Sequence, residues 1–211
     1  GDFSGSSVSL SADGRIVAIG ASLNDGVNGN YSGHVRIYEK NNGTWTQLGG
    51  DIDGEAANDQ SGFSVSLSAD GSVVAIGPYT NDSGHVRVYQ YSNNTWNQLG
   101  NDIDGKVAGD FFGRSLSLSA DGKLLVVGAQ SHNSGSVNSG SAWIYRLNPT
   151  ENPSIFTWYE LNVQLKPQSS ANNIYYGSKV KFSLDGGRLA IAAPGLNQVY
   201  VYTNPEEVEV P

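Results

Sequence analysis

The chain contains neither cysteine nor methionine. Without thiols there is no disulfide framework, no thiolate zinc site and no cysteine nucleophile, and sulfur chemistry gives no clue to the redox compartment. Positive charge is scarce as well: Lys and Arg number 12 against 20 Asp and Glu, a formal net charge of −8. A field of that sign repels phosphate backbones and anionic lipid surfaces, which argues against nucleic acid and membrane surfaces as partners. No apolar run approaches the roughly 18 residues that span a bilayer, so no membrane insertion is expected. Helical periodicity is missing too. The sequence opens on Gly1 with no charged, apolar leader, and reads as a mature product, a domain or a fragment. What it has in quantity is glycine, 27 of 211 residues, with serine, asparagine, aspartate and aromatics. That make-up suits short strands joined by turns, in a chain long enough to bury a core of ordinary size.

Self-similarity organises these residues. Gly5-Ser-Ser-Val-Ser-Leu-Ser-Ala-Asp-Gly14 recurs at 62–71, at 113–122 and more loosely at 177–186. Within each copy apolar residues alternate with serine, the period of a half-buried strand, and a two-residue Asp-Gly hairpin turn is expected to lead into a short apolar run such as Ile16 to Ala21. A loop of variable length follows. A third strand is expected at His34-Val-Arg-Ile-Tyr38, His85 to Tyr89, Ser141 to Tyr145 and Gln198 to Tyr202, and a fourth around Trp45, Trp96 and Trp158. Four strands in about 50 residues describe a propeller blade. The fold expected is therefore all-β, a β-propeller of four-stranded antiparallel blades in four repeat units, approximately 1–58, 59–109, 110–173 and 174–211.

At Phe112-Gly113, at the Ser-Leu-Ser-Leu-Ser that follows, at Gly20-Ala21 and Gly128-Ala129, and at Ser-Gly-x-Val-x-x-Tyr, the sequence resembles the FG-GAP repeats of integrin α-like propellers. The resemblance implies extracellular β-propeller blades and a binding or adhesion role. One departure matters. Calcium-binding members carry Asp-x-Asp-x-Asp-Gly between the first two strands, where this chain has only Ala-Asp-Gly, so Asp13, Asp70, Asp121 and Asp185 are expected to be plain turn residues.

In a propeller the loops between second and third strands share one face with the links between blades, and such a face commonly carries function. Most of the acid falls there: Asp51, Asp53, Glu55 and Asp59 in one link, Asp102, Asp104 and Asp110 in the next. Two readings of these carboxylates stand side by side. They could collect calcium, which takes several oxygen ligands around a glycine turn, or they could cap turns and strand ends. Lys106 in place of a third ligand weakens the second set. His34 and His85 repeat with the blade and are expected to serve packing, as are the tryptophans, and Arg36 and Arg87 are expected to wedge between blades. No Gly-x-Ser-x-Gly elbow, phosphate loop or single asymmetric carboxylate pair is found, so no enzyme activity is expected.

Asn30, Asn42, Asn81 and Asn93 lie in glycosylation sequons, all at expected loops or turns. The expected role is a non-enzymatic extracellular or cell-surface module that holds a protein or glycan partner by its loop-rich face. A structural subunit of an extracellular assembly is the alternative. Because Gly1-Asp-Phe-Ser-Gly5 matches the link Gly109-Asp-Phe-Phe-Gly113, the four units are expected to be part of a larger ring of about seven blades. Glu207 to Val210 as the last strand of a closed four-bladed ring is the alternative, and self-association is open.

Overall fold

The structure is a computed structural model describing residues 1–79, 83–149, 156–183 and 185–205. Among these there is no α-helix; one 3-10 turn at Pro194–Leu196 is the sole helical element. The strands form four antiparallel sheets. The first contains β1 (Ser4–Leu10), β2 (Ile16–Ala21), β3 (His34–Asn41), β4 (Thr44–Gln47) and β5 (Ile52–Asp53), in the order β1-β2-β3-β4 with β5 also on β3. The second repeats it with β6 (Ser64–Leu67), β7 (Val73–Gly77), β8 (His85–Ser92), β9 (Thr95–Gln98) and β10 (Ile103–Asp104). In the third, β11 (Ser115–Leu118), β12 (Leu124–Ala129), β13 (Ser141–Pro149) and β14 (Phe156–Leu165) pair in sequence. The fourth holds β15 (Val180–Phe182), β16 (Arg188–Ala193) and β17 (Gln198–Thr203). These are propeller blades. Glu207 to Val210 lies outside the described residues.

Two local corrections concern the turns. The Asp-Gly connection is not a two-residue hairpin: Leu10 pairs with Val17, and the backbone of Ser11 closes on Ile16, leaving four residues at the tip. A two-residue turn of the expected kind needs positive φ at both positions, and here only Gly14 has it, at 69°. That geometry appears instead at the second hairpin, where Asn42 and Gly43 have φ 50° and 86°, and Asn93 and Asn94 have 52° and 61°. The other correction concerns Ile52–Asp53 and Ile103–Asp104, which belong to the outer edges of blades and not to free links. They pair with the starts of β3 and β8 after the outer strand breaks at Gly49 and Gly100.

Blades pack face to face around apolar layers. Val35, Ile37 and Ala18 of the first blade meet Leu67, Val74 and Ile76 of the second. Val86 and Val88 meet Leu116, Leu118 and Leu125 of the third, and Ala142 and Ile144 meet Val180, Phe182, Leu189 and Ile191 of the fourth. At the inner edge the approach is closer still. A Cβ on Gly20 would collide with the carbonyl oxygen of Gly62, one on Gly77 with that of Gly113, and one on Gly128 with that of Gly177. The serines between the apolar positions of the inner strands serve the same seam: Ser7 and Ser64 donate to the Gly62 and Gly113 carbonyls at 2.7 and 2.6 Å. Ser9, Ser66 and Ser117 accept from the Leu67, Leu118 and Phe182 amides. Alternating serine is thus a polar ladder from blade to blade.

The arc does not close among the described residues. Val8 and Leu10 on the outer face of the first blade are 63% and 60% exposed, and Val199 and Val201 on that of the fourth are 64% and 63% exposed. The two end faces also differ in chemistry. Where earlier blades carry the ladder serines, the fourth has Lys179 and Lys181, both exposed.

The outer strands are locked by tryptophan. Trp96 lies over Gly49 and donates its indole N–H to the Leu48 carbonyl at 2.8 Å, and Trp158 repeats this over Gly100 and the Leu99 carbonyl at 2.8 Å. Trp45 covers no such glycine among the described residues and is 43% exposed. Trp96→Phe should therefore cost about 1–2 kcal/mol, from one lost hydrogen bond and reduced burial, whereas Trp45→Phe should stay within about 0.5 kcal/mol. Urea midpoints of the two variants check this; equal effects would show that the anchor contributes nothing.

Candidate functional site

The loops and the links do share one face. In the first blade, loop 22–33 and link 54–61 run side by side: Asn58, Gln60 and Ser61 donate their amides to the Asn30, Tyr31 and Ser32 carbonyls at 2.9 Å, and Gly54 donates to Gly33. In the third, Asn173, Tyr175 and Tyr176 donate to Val137, Asn138 and Ser139. A recurring backbone kink makes this possible. Phe3, Gln60, Phe111 and Tyr175 sit at equivalent places two residues before a seam glycine, all with φ between 52° and 57°. The opposite face carries the turns, where each aspartate works locally. Asp13 accepts from Ser11 Oγ at 2.7 Å and from the Arg15 amide at 3.0 Å, while Ser11 Oγ accepts from the Ile16 amide. Asp70, Asp121 and Asp185 repeat the pattern with Ser68, Ser119 and Ser183. Hydroxyl donation from Ser11 and Ser183 holds Asp13 and Asp185 below the usual carboxylate range.

The structure does not gather the seven candidate metal ligands. Among the described residues no three carboxylate or imidazole groups converge on a point that could hold an ion. Each acid that points from the links has another partner. Asp51 accepts a forked pair of bonds from Arg36 and a further one from Gln47, and Asp102 does the same with Arg87 and Gln98. Glu55 reaches across the blade boundary to Arg87. Asp59 caps the Glu55 and Ala56 amides at 3.0 and 2.9 Å. Asp110, buried, meets His132 Nδ1 at 2.6 Å, beneath the edge of Trp143. Asp53 and Asp104 lie in the short outer strands, opposite His34 and His85. The geometry is that of capping and ion pairing. His34 is buried, and desolvation lowers its pKa, which keeps it neutral in its packing position.

Arg36 and Arg87 are equivalent, but only Arg87 is buried, and it bridges two blades. Burial alone would lower its pKa; hydrogen bonding and charge from Asp102 and Glu55 hold it above the ordinary value instead. At the next boundary the equivalent of Arg87 is Trp143, and the equivalent of Glu55 is Lys106, whose ammonium lies 5.4 Å from the Trp143 ring and 2.8 Å from Glu160. The link residue thus changes sign with its neighbour: acid against arginine, base against an aromatic face. Nothing in either residue alone shows this coupling; aligning the links one blade out of step does.

The same face holds most of the exposed large apolar side chains that lie outside strands: Phe3, Val27, Tyr31, Tyr79, Val107 and Val137. Among the described residues the turns opposite hold none. One further group escaped sequence reading. The guanidinium of Arg114 is held between the rings of Tyr79 and Phe111, its carbon 3.5 and 3.3 Å from their centres, and Phe63 packs on Tyr79 at 4.5 Å. Of the sequon asparagines, Asn30 is exposed on the loop face and Asn42 and Asn93 at the turns; Asn81 lies outside the described residues.

Comparisons with known proteins agree with the fold. Residues 104–145 match the FG-GAP repeat model. No curated protein sequence matches the chain significantly. Among solved structures, similarity is found to a protein of Bacteroides uniformis provisionally named a 6-phosphogluconolactonase, with TM-score 0.60 and 17% identity over 93% of this chain and 49% of that one. The hydrazine synthase of Kuenenia stuttgartiensis gives 0.57 and 12%, covering 95% of this chain and 58% of the other. TolB of Acinetobacter baumannii gives 0.50 and 14%, over 93% and 43%. At these identities the likeness is one of fold, and this chain spans about half the length of those proteins.

Two outcomes follow from the ion pairs. Asp102→Asn should cost about 1 kcal/mol at pH 7, the scale of a partly exposed pair. Arg87 holds the Asp102 carboxyl below its ordinary value, so this contribution is complete above the unfolded carboxylate pKa of about 4 and vanishes as pH falls through the folded value. Urea titrations from pH 7 down to 2.5 should show wild type and variant converging. Calcium at millimolar concentration should leave the melting temperature unchanged, because each link carboxylate is already engaged or apart from the others; a rise of several degrees would restore the ion-binding reading.

Proposed function

We propose that this chain, which carries an FG-GAP repeat at residues 104–145 and the same pattern in its other blades, is a non-enzymatic binding or adhesion module of the cell surface or extracellular space, holding a protein or glycan by its loop-rich face. The observation that carries the reading is the sorting of side chains. Repeated residues are used in seams, turns and ion pairs, while the exposed apolar residues of the loops, among them Val27, Tyr31, Val107 and Val137, have no structural task and concentrate on one face. Apolar side chains displayed together on a rigid scaffold mark an interaction surface. Catalysis is the weaker reading. Its usual sign is a set of acid and base groups forced apart in pKa around one cleft, and here Asp51, Glu55, Asp59, Asp102 and Asp110 are tied to arginine, glutamine, histidine or backbone. Lactonase names among the structural neighbours belong to those proteins. Exposed sequons at Asn30, Asn42 and Asn93 fit a secreted glycoprotein.

Assembly into a larger structure has one observation in its favour, the open apolar face of Val8 and Leu10. Lysines at the ladder positions of the fourth blade tell against its other end receiving a blade of the same pattern.

A panel of extracellular proteins and glycans probed with wild type and with a Val27→Ser, Val107→Ser, Val137→Ser variant separates the readings. Binding by the wild type should fall at least tenfold in the variant with melting temperature unchanged. Binding that survives, but is lost on Val8→Ser with Leu10→Ser, would assign the activity to the end face.

A further inference from the structure

Arg36, Arg87 and Lys106 each meet a carboxylate; Arg114, stacked between two rings on the loop face, meets none among the described residues. Its Nε is buried without an acceptor. Removal from water by the two rings lowers its pKa, yet a guanidinium stays charged throughout the accessible pH range. A cation between two aromatic faces is held by their quadrupoles and kept in one plane; of its nitrogens only Nε is buried without an acceptor, so the terminal N–H groups are the ones a partner reaches.

The slot is also singular. Position 114 is Ser6, Phe63 and Ser178 in the other blades, and position 79 is Ser22, Gln130 and Pro194, so no other blade can form it. Arg114 directly precedes the inner strand β11 and Tyr79 directly follows β7 and Pro78, which puts the slot on the loop face at the inner edge of the blades. The kink at Phe111, φ 57°, turns that ring onto the guanidinium.

We propose that the Arg114 slot is a binding site for a single carboxylate, and that the group it takes is an aspartate or glutamate side chain of a partner protein. This deepens, and rests on, the reading of the loop face as the binding surface. A planar fork meets a carboxylate with two parallel hydrogen bonds. The net charge of −8 disfavours polyanions such as sulfated glycans and nucleic acids, whereas one carboxylate bound at a desolvated cation is little affected by it.

The test uses the whole chain and the arginine Nε–H signals in ¹⁵N–¹H spectra, because a buried Nε–H exchanges slowly enough to be seen. Titration with the capped tripeptide acetyl-Gly-Asp-Gly-amide should shift the Arg114 signal saturably, and the matched Asn peptide should not. Arg114→Gln should abolish the binding. Arg114→Lys, which keeps the charge without the fork, should weaken it about tenfold or more, and Phe111→Leu, which removes one wall and spares the charge, should weaken it measurably. The proposal is overturned if the Asp peptide gives no saturable shift, if the Asn peptide or sodium chloride gives the same one, or if Arg114→Lys binds as well as wild type. Tighter binding of glucuronate than of the peptide would overturn the assignment to a protein side chain. A slot that takes the peptide while loss of Val27, Val107 and Val137 leaves partner binding intact would sink the loop-face reading alone, and the reverse pattern would sink the slot alone.

Discussion

Blade against blade, at the inner edge, everything depends on one contact: the glycine of a second strand lying directly on the carbonyl of the next blade's seam glycine. Gly20, Gly77 and Gly128 leave no room for a Cβ, and the glycines they face have φ between 84° and 89°, where a side chain would be strained. Fixing that approach fixes the spacing at which Val35, Ile37, Val86 and Val88 reach the neighbouring inner strand. It also brings the serine hydroxyls within hydrogen-bond distance of backbone that an antiparallel edge would otherwise leave unpaired. The ladder serines are therefore more than solvent-facing fillers of an alternating strand, because each satisfies a backbone group the seam would expose to a dry interior.

Once the seam is set, the loop face is free to vary, and its variation is ordered. Glu55 against Arg87 and Lys106 against Trp143 are two solutions to one problem, how to cover a large side chain that emerges between blades. A carboxylate suits a guanidinium and an ammonium suits an indole face. Arg114 is a third case, in which aromatic rings take over both faces of the cation and leave its Nε without an acceptor. The first two arrangements are complete within the chain. Only the third leaves a buried donor, the Arg114 Nε, without an acceptor among the described residues.

How much of this was legible follows from the range over which each feature acts. The seam glycines, the serine alternation and the tryptophans recur at fixed places, so repetition alone outlined the blades. The four-residue tip at Ala12–Arg15 was misjudged because Asp-Gly is also a two-residue turn signal, and the choice is made by the Ser11 hydroxyl and the Asp13 carboxylate together. Ile52 and Ile103 were placed in links because two glycines interrupt the outer strand before them; the structure shows the strand resuming. Arg114, Tyr79 and Phe111 were not brought together at all. They lie on two elements and a kink, Arg114 and Tyr79 have no like residue at their places in the other blades, and the three meet only through the packing of the second blade on the third.

Of the carboxylates that invite a calcium reading, Asp51, Glu55, Asp59, Asp102 and Asp110 have other partners in the structure. An ion-binding loop needs acids that repel one another until the cation arrives, at a cost to the empty fold. In this chain the same acids are neutralised one at a time. The turn aspartates take a hydroxyl and an amide, Asp51 and Asp102 take the arginine fork, and Asp59 caps two amides. A serine hydroxyl in each Ser-Ala-Asp-Gly tip does for the hairpin what a cation would do in an Asp-rich loop: it gives the carboxylate a donor and ties it to the following strand. The tip is thereby ordered by groups the chain itself carries.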